Sequence, residues 1–194
     1  QKAPSLDPGY KKYVKSARLY SERREYDEAK GFLEKAIEMD PEADMAYVEM
    51  GILYRSRGEY DKARQFFEKA LALSPQKASI YVESGILYRY QREYAKAKEL
   101  FDKAIEISPG DDWAYVESAV LHRAQGEYAE ARKKLSKAIE LDPENESAYI
   151  ESGALYREQG EHDKAEEMFA EALKQSPDEY ETYRKLAELY KGWG

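Results

Sequence analysis

The nonapeptide YVEMGILYR occupies residues 47–55 and returns, with few changes, every 34 residues. Its later copies are YVESGILYR at 81–89, YVESAVLHR at 115–123 and YIESGALYR at 149–157. A proline keeps the same period, at Pro41, Pro75, Pro109, Pro143 and Pro177. A fixed period of this length is typical of one supersecondary unit that is copied and stacked, because a single copy cannot bury its apolar face alone.

Each repeat predicts two helices. In the repeat over 41–74, the first half has the i, i+3, i+4, i+7 spacing of an amphipathic helix at Tyr47, Met50, Gly51 and Tyr54. After Gly58 the same spacing returns at Tyr60, Ala63, Phe67, Ala70 and Leu71. Ser74 stands before Pro75, where the proline ring disfavours helix. The pattern therefore predicts helix, tight turn, helix and short loop, and no strand.

Small residues recur at fixed places, which indicates how the helices pack. Alanine fills two columns completely: Ala29, Ala63, Ala97, Ala131, Ala165 and Ala36, Ala70, Ala104, Ala138, Ala172. A third column holds Gly51, Gly85 and Gly153 with Ala17 and Ala119. Small side chains let neighbouring helices approach closely while tyrosine, phenylalanine and leucine fill the space beside them.

The period, together with a set of residues in each copy, resembles the tetratricopeptide repeat; in one copy these are Tyr47, Gly51, Tyr54, Ala63, Phe67, Ala70 and Pro75. The resemblance implies an all-α fold, a right-handed α-α superhelix of antiparallel helix pairs. It predicts one continuous array with a linker-like start over 1–7, units at 8–40, 41–74, 75–108, 109–142 and 143–176, and a capping helix and tail over 177–194. A helix is predicted over 179–190. Trp193 in the tail is a candidate for covering the end of the array or for docking on a neighbouring copy.

One column departs from the family. Where tetratricopeptide repeats usually have leucine, this chain has Ser16, Met50, Ser84, Ser118 and Ser152. We expect the neighbouring tyrosines to fill that volume and the serines to supply partners for the buried tyrosine hydroxyls, since a buried hydroxyl requires one.

Composition excludes several classes of function. The chain has 39 acidic and 31 basic residues and a net charge of −8, which gives no basic footprint for nucleic acid. It has no cysteine, so disulfides and thiolate metal sites are excluded. No apolar run reaches membrane-spanning length and no signal peptide is visible. The compartment stays open between the cytoplasm and export as a mature protein, and the opening segment is compatible with a fragment of a larger protein.

No residue pattern indicates catalysis, a cofactor or a metal. The two histidines, His122 and His162, each replace a tyrosine of their column and are interpreted as packing substitutions. Asp111 and Asp112 are expected to cap the helix that begins near Trp113. The sequence shows no phosphate-binding loop and no nucleophile elbow. We therefore predict a protein that is not an enzyme.

The first helix of each repeat carries a second stripe beside its core positions. It comprises Val48, Ile52, Arg55; Val82, Ile86, Arg89; Val116, Val120, Arg123; and Ile150, Ala154, Arg157. The resemblance implies that first helices line a concave groove, so that these residues would form an apolar floor with an arginine column. A parallel glutamate column holds Glu49, Glu83, Glu117 and Glu151. In the alternative interpretation, the apolar residues complete the core and the two columns of charge neutralise each other.

Two aromatic residues break the repetition. Trp113 stands where other units have methionine or serine, and Tyr90 where they have serine, alanine or glutamate. Neither is needed to build the repeat, and both types are enriched at binding hot spots. The predicted partner-binding residues, where the third and fourth units meet, are Tyr90, Trp113, Arg89, Arg123, Val82, Ile86, Val116, Arg55, Glu83 and Glu117. The alternative is that a lone aromatic merely shields a helix start.

The leading hypothesis is a non-catalytic scaffold that binds a peptide or helix segment of a protein partner in the concave groove, as a monomer or weak homo-oligomer. The lysine–asparagine clamp by which some family members hold chaperone tails is missing, because its positions here are Val14, Arg18, Glu49, Ser79 and Glu83. Two alternatives stay open: a structural module that stacks with its own copies through the array ends, and a regulatory appendage of a larger enzyme.

Overall fold

A computed structural model describes residues 8–176 and 180–191, which form helices joined by short turns, without a strand in these two ranges. The helices are α1 (Pro8–Glu22), α2 (Tyr26–Met39), α3 (Asp44–Ser56), α4 (Tyr60–Leu73), α5 (Ala78–Tyr90), α6 (Tyr94–Ile107), α7 (Asp112–Ala124), α8 (Tyr128–Leu141), α9 (Glu146–Glu158), α10 (His162–Gln175) and α11 (Tyr180–Lys191). The predicted fold class, an all-α array of helix pairs, is confirmed. The predictions for segment 1–7 and for Trp193 lie outside the described residues.

The turn between the two helices of each pair has the same backbone conformation in every full repeat. A residue with positive φ ends the first helix at the same position of every repeat: Arg24, Gly58, Arg92, Gly126 and Gly160. In the second pair, the N–H of Glu59 donates to the carbonyl of Tyr54, and the N–H of Gly58 donates to that of Arg55. These are the two bonds of a Schellman motif, which satisfies helix-end carbonyls and favours glycine. The motif folds the second helix back against the first.

The chain divides into two units, of which the first is Gln1–Leu100. Within it, α1 packs on α2 and α3 on α4, while α3 also contacts α1, α2 and α5. The alanines of the predicted columns lie at these contacts, where Ala29, Ala36, Ala63 and Ala70 are fully buried. A buried cluster joins Leu53 of α3 to Ala17, Ala29 and Leu33 of the preceding pair. Each pair therefore completes the core of the pair before it.

The second unit, Phe101–Gly194, uses the same contacts. Helix α9 packs on α7, α8 and α10, and α11 packs on α9 and α10. Leu155 of α9 joins a buried cluster with Ala119, Ala131 and Leu135, which are the counterparts of the cluster around Leu53. The repeated sequence thus produces repeated packing within each unit.

The glycine of the third small-residue column makes room for a phenylalanine. A Cβ added to Gly51 would lie 2.5 Å from the Phe67 ring, and one added to Gly153 would lie 2.6 Å from the Phe169 ring. Where this column has alanine, the opposing position has leucine, as in the pairs Ala17/Leu33 and Ala119/Leu135. The small column therefore matches the volume of the side chain that faces it.

For the column of Tyr47, the predicted partnership between serines and tyrosine hydroxyls is wrong. The hydroxyl of Tyr47 donates to the carbonyl of Pro41 at 3.0 Å, and Tyr81 and Tyr149 bond their own preceding prolines in the same way. Ser84 instead donates to the carbonyl of Ile80, four residues earlier in its own helix, at 2.8 Å. A buried serine in a helix has this local acceptor available, so it does not depend on a tyrosine.

Candidate functional site

Arginines pair with glutamates across neighbouring first-type helices, that is, the first helices of successive repeats, and we call these pairs the arginine–glutamate ladder. In the first unit, Arg55 of α3 reaches Glu83 of α5 at 2.5 Å, with only 14% and 13% of the two side chains exposed. Arg55 also donates to the Glu83 backbone carbonyl at 3.2 Å. Arg18 of α1 pairs with Glu49 of α3 at 2.5 Å. Burial raises the pKa of the Glu49 carboxyl, although Arg18 acts to lower it.

The second unit has arginine–glutamate pairs of its own. Arg123 of α7 contacts Glu151 at 2.7 Å and Glu158 at 2.5 Å, both on α9. Arg157 of α9 pairs with Glu188 of α11 at 3.2 Å. The pairs Arg55–Glu83 and Arg123–Glu151 join the two predicted columns and agree with the interpretation in which the columns neutralise each other. Arg18, Glu158 and Glu188 stand outside the columns. A partner would therefore meet satisfied ion pairs at Arg55, Glu83 and Arg123 rather than isolated charges.

The apolar residues predicted for the groove floor are mostly buried. Val82 is fully buried, and Ile86 and Val116 are nearly so. Val116 forms a cluster with Ala138 of α8 and Ala148 of α9. These three side chains therefore serve mainly as core, and they support the exposed residues beside them.

Tyr90 differs from its surroundings because 59% of it is exposed at the end of α5. The Arg89 guanidinium lies 5.4 Å from the Tyr90 ring centroid, which is a cation–π distance. Tyr90 also lines an open cavity of about 560 Å³ with Arg55, Ser56, Arg57, Gly58 and Tyr60. Sequence reasoning singled out Tyr90 but missed Arg57 and Tyr60. Tyr60 fits a tyrosine column, and the position of Arg57 holds arginine or glutamine in every full repeat, so neither residue stood out.

Trp113 lies in the first turn of α7 and is half-buried. The expected cap is confirmed, since the Asp111 carboxylate accepts from the N–H of Ala114 at 3.4 Å. Burial raises the pKa of the Asp111 carboxyl, against the effect of that hydrogen bond. The cap fixes the helix start from which Trp113 projects. Glu117, one turn further, is half-buried.

The histidines show no metal-binding arrangement. His122 is buried in α7, and its Nδ1 bonds the carboxylate of Glu127 at 2.5 Å, in the turn after the helix. Within residues 8–176 and 180–191, no group of three or more histidine, aspartate or glutamate side chains is placed to hold a metal ion. None of the helices in these ranges is both long and apolar enough to cross a bilayer.

One surface was missed by sequence reasoning altogether. Helix α1 exposes Lys12, Lys15 and Leu19 and half-exposes Ser16, which together we call the open face of α1. The periodic pattern assigns Leu19 to the core, because its counterpart in α3 is the buried Leu53. Two lysines are the sequence signal that could have revealed this surface. Lys12 stands where later repeats have alanine or isoleucine, and Lys15 stands where they have glutamate.

Solved structures with this fold cover almost the whole chain. TTC0263, a thermophilic TPR protein in Thermus thermophilus, has a TM-score of 0.84 at 18% identity, covering 93% of this chain and 98% of its own. PilW, a widely conserved type IV pilus biogenesis factor, has a TM-score of 0.77 at 21% identity, with 97% and 87% covered. YrrB, a TPR protein with an unusual peptide-binding site, has a TM-score of 0.58 at 24% identity, with 93% and 98% covered.

The same repeat is found by comparison with protein families. No curated protein sequence matches the chain. Residues 6–192 match the family described as cilia and flagella-associated protein 70 C-terminal domain, a tetratricopeptide domain. Tetratricopeptide repeats are generally non-catalytic and act in protein–protein interaction. The helix pairs, the repeated residues and this match together show that the chain belongs to the tetratricopeptide repeat family, in the group described as the cilia and flagella-associated protein 70 C-terminal domain.

Proposed function

We propose that this chain is a non-catalytic scaffold that binds a peptide or helix segment of a protein partner along its first-type helices. Tyr90 and Trp113 are the proposed main contacts. The observation that carries the proposal is the exposed ring of Tyr90 beside the cavity at Arg57 and Tyr60. Exposed aromatic side chains next to a concavity are the residues on which binding energy concentrates.

The ladder determines what kind of partner fits. Because Arg55 and Arg123 already contact glutamates, the partner gains little from charges aimed at these arginines. An apolar or aromatic side chain packed against Tyr90 is a better match, and Arg89 would stabilise a ring stacked there. In the proposal, Val82, Ile86 and Glu83 accompany Tyr90 in the first unit, and Val116 and Glu117 accompany Trp113 in the second. The unusual peptide-binding site described for YrrB supports a peptide as the class of ligand.

Selection of peptides from a random display library against the intact chain, followed by calorimetric titration, tests the proposal. We expect Tyr90→Ala and Trp113→Ala each to weaken the best selected peptide by about tenfold or more, as hot-spot truncations do. Tyr180→Ala is the matched control, because Tyr180 is an exposed tyrosine of α11 outside the proposed surface. Equal affinities for wild type and both variants would exclude these residues as the site.

The two alternative functions predict different outcomes. A module that stacks with its own copies would sediment as larger species when its concentration rises, and a strict monomer at every concentration would reject this alternative. A regulatory appendage would be part of a reading frame that also encodes a catalytic domain.

A further inference from the structure

Helix α1 leaves open a face whose counterpart is buried in α3, α5, α7 and α9. At the position of Leu19 the later repeats have a leucine that is at most 1% exposed, namely Leu53, Leu87, Leu121 and Leu155. Leu19 itself is 45% exposed. At the position of Lys12 the later repeats have fully buried residues, Ala46, Ile80, Ala114 and Ala148. The open face of α1 is thus the counterpart of a packing surface.

The counterpart in α3 shows what such a face binds. Leu53 shares a buried cluster with Ala17 of α1 and Ala29 and Leu33 of α2. Ala46 packs in the same way with residues of α1 and α2. The face of α3 is therefore covered by helices, which indicates that the open face of α1 also suits a helix.

The open face is concave and apolar at its centre. A cavity of about 700 Å³ lies along α1, and its apolar lining comes from Val14, Leu19 and Met45. The charged residues that line the same cavity are four cations and one carboxylate: Lys11, Lys12, Lys15, Arg18 and Glu22. An amphipathic helix with an apolar stripe fits a groove of this kind, because it lays that stripe into the groove and keeps its flanks at the rim.

The charge of the rim selects the partner. Lys15 stands where later repeats have Glu49, Glu83, Glu117 and Glu151, so the position that accepts an arginine elsewhere is cationic here. Among residues 8–176 and 180–191, no ion pair joins Lys11, Lys12 or Lys15 to a carboxylate. A neighbouring helix with carboxylates opposite these lysines is complementary, whereas one with an arginine there is repelled.

We propose that the open face of α1 docks an acidic amphipathic helix of a partner protein, with Leu19 in its apolar seam and Lys12 and Lys15 facing its carboxylates. A second copy of this chain fits less well. In the sequence, the position that follows Arg157 by one repeat is Lys191, so stacking in register would bring cationic positions of two copies together. This surface is separate from Tyr90 and Trp113, and the inference goes beyond the proposed function.

The test uses the full chain and a designed, fluorescein-labelled helical peptide of about 20 residues. Its leucines follow i, i+3, i+4, i+7 and its flanks are glutamate; a second peptide has lysine in place of every glutamate. By fluorescence anisotropy we expect saturable binding of the acidic peptide only, weakened by added salt. Lys15→Glu and Leu19→Gln should each weaken binding by about tenfold. Lys133→Glu, an exposed lysine of α8, is the control and should leave it unchanged.

The other outcomes overturn the inference. These are absence of saturable binding, equal binding of the lysine-flanked peptide, and equal affinities of Lys15→Glu and Lys133→Glu. Loss of binding in Tyr90→Ala would also overturn it, because the peptide would then occupy the surface proposed for the main function. Sedimentation velocity is run on wild type and Leu19→Gln. A wild-type dimer that Leu19→Gln abolishes would identify a second copy as the occupant and reject the acidic partner.

Discussion

The hairpins α1–α2 and α3–α4 have the same pattern of apolar positions, but equivalent residues of the two hairpins differ in how far they are buried. Leu19 and Leu53 are counterparts, yet Leu19 is largely exposed and Leu53 is buried against the preceding hairpin. The difference lies in the neighbour rather than in the residue. In a repeat protein the sequence pattern sets where a side chain points, and the adjacent repeat sets how much that side chain contributes to stability.

The two hairpins also fill the same contact between their helices with side chains of different volume. The first pairs Ala17 with Leu33, and the second pairs Gly51 with Phe67, whose ring occupies the place of a Cβ. Each combination fills the contact between its two helices. The residues at two facing positions, taken together, therefore predict the packing better than the residue at either position alone.

The largest effect is expected where burial differs most. Leu53→Ala should lower the free energy of unfolding by about 2–5 kcal/mol, because it leaves a cavity between two hairpins. Leu19→Ala, the same change at the exposed counterpart, should alter it by less than about 0.5 kcal/mol. Urea denaturation followed by circular dichroism measures both. Equal losses would show that neighbour contact does not explain the difference between the hairpins.

Gly51→Ala tests the pairing of volumes. Overpacking against the Phe67 ring should cost about 1–3 kcal/mol, which outweighs the gain of about 0.5–1 kcal/mol from replacing a helical glycine. The double variant Gly51→Ala with Phe67→Leu recreates the combination of the first hairpin and should recover most of that loss. The coupling is read from a double-mutant cycle of unfolding free energies. Additive effects of the two substitutions would contradict the volume match.

Tyr10→Phe tests a contact that only the first hairpin provides. The buried Tyr10 hydroxyl accepts from the N–H of Ala46 at 2.9 Å, in the first turn of α3, where the N-cap residue Ala43 has no side-chain bond. Its loss leaves that N–H unpaired and should cost about 1–3 kcal/mol. Tyr81→Phe removes a solvent-exposed bond to Pro75 and is the control, with a smaller expected loss. Equal melting temperatures of the two variants would reject this role of Tyr10.

The same hydroxyl gives a dependence on pH. Burial raises the pKa of Tyr10 from 10.0 to about 12, so the folded chain keeps this proton over a range where the unfolded chain has lost it. The contribution of Tyr10 to stability is therefore present below pH 10 and declines as the pH rises towards about 12. The difference in unfolding free energy between wild type and Tyr10→Phe should shrink across that window. A constant difference would contradict the raised pKa.

The smallest effect concerns the turns. Arg24 holds a positive φ of 63° where the second hairpin has Gly58 at 75°. Arg24→Gly should stabilise the chain by about 0.5–1 kcal/mol, because glycine adopts this conformation without a steric penalty, although it also has more freedom when unfolded. Lys30→Gly, in the middle of α2, is the opposite control and should destabilise. Thermal unfolding of the two variants and of wild type measures both effects. A midpoint for Arg24→Gly below that of wild type would contradict the expectation.

Periodicity was sufficient to predict the helices, the turns and the alanine contacts. Ala63, Ala97 and Ala131 are fully buried, as close helix approach requires. The tyrosine hydroxyls could not be assigned, because a spacing of six residues to Pro41 or Pro75 becomes a contact only after the loop is folded.

The candidate site was harder to predict from the sequence than the fold. The exposure of Tyr90 agrees with its being an exception to the repeat. The columns alone left two interpretations of Arg55 and Glu83 open, since distances across neighbouring helices decide whether charges are available. The open face of α1 was hidden for the opposite reason: Leu19 fits the pattern, and its exposure depends on what lies beside it.

The arginine–glutamate ladder bears on how such a chain can change length. Excision of residues 41–74 would bring Glu83 to the place of Glu49, opposite Arg18, with Leu87 in the place of Leu53. Both the ion pair and the apolar contact would be re-formed by equivalent side chains. We therefore expect insertions and deletions of 34 residues to preserve these contacts, whereas changes of other sizes would place different side chains opposite one another.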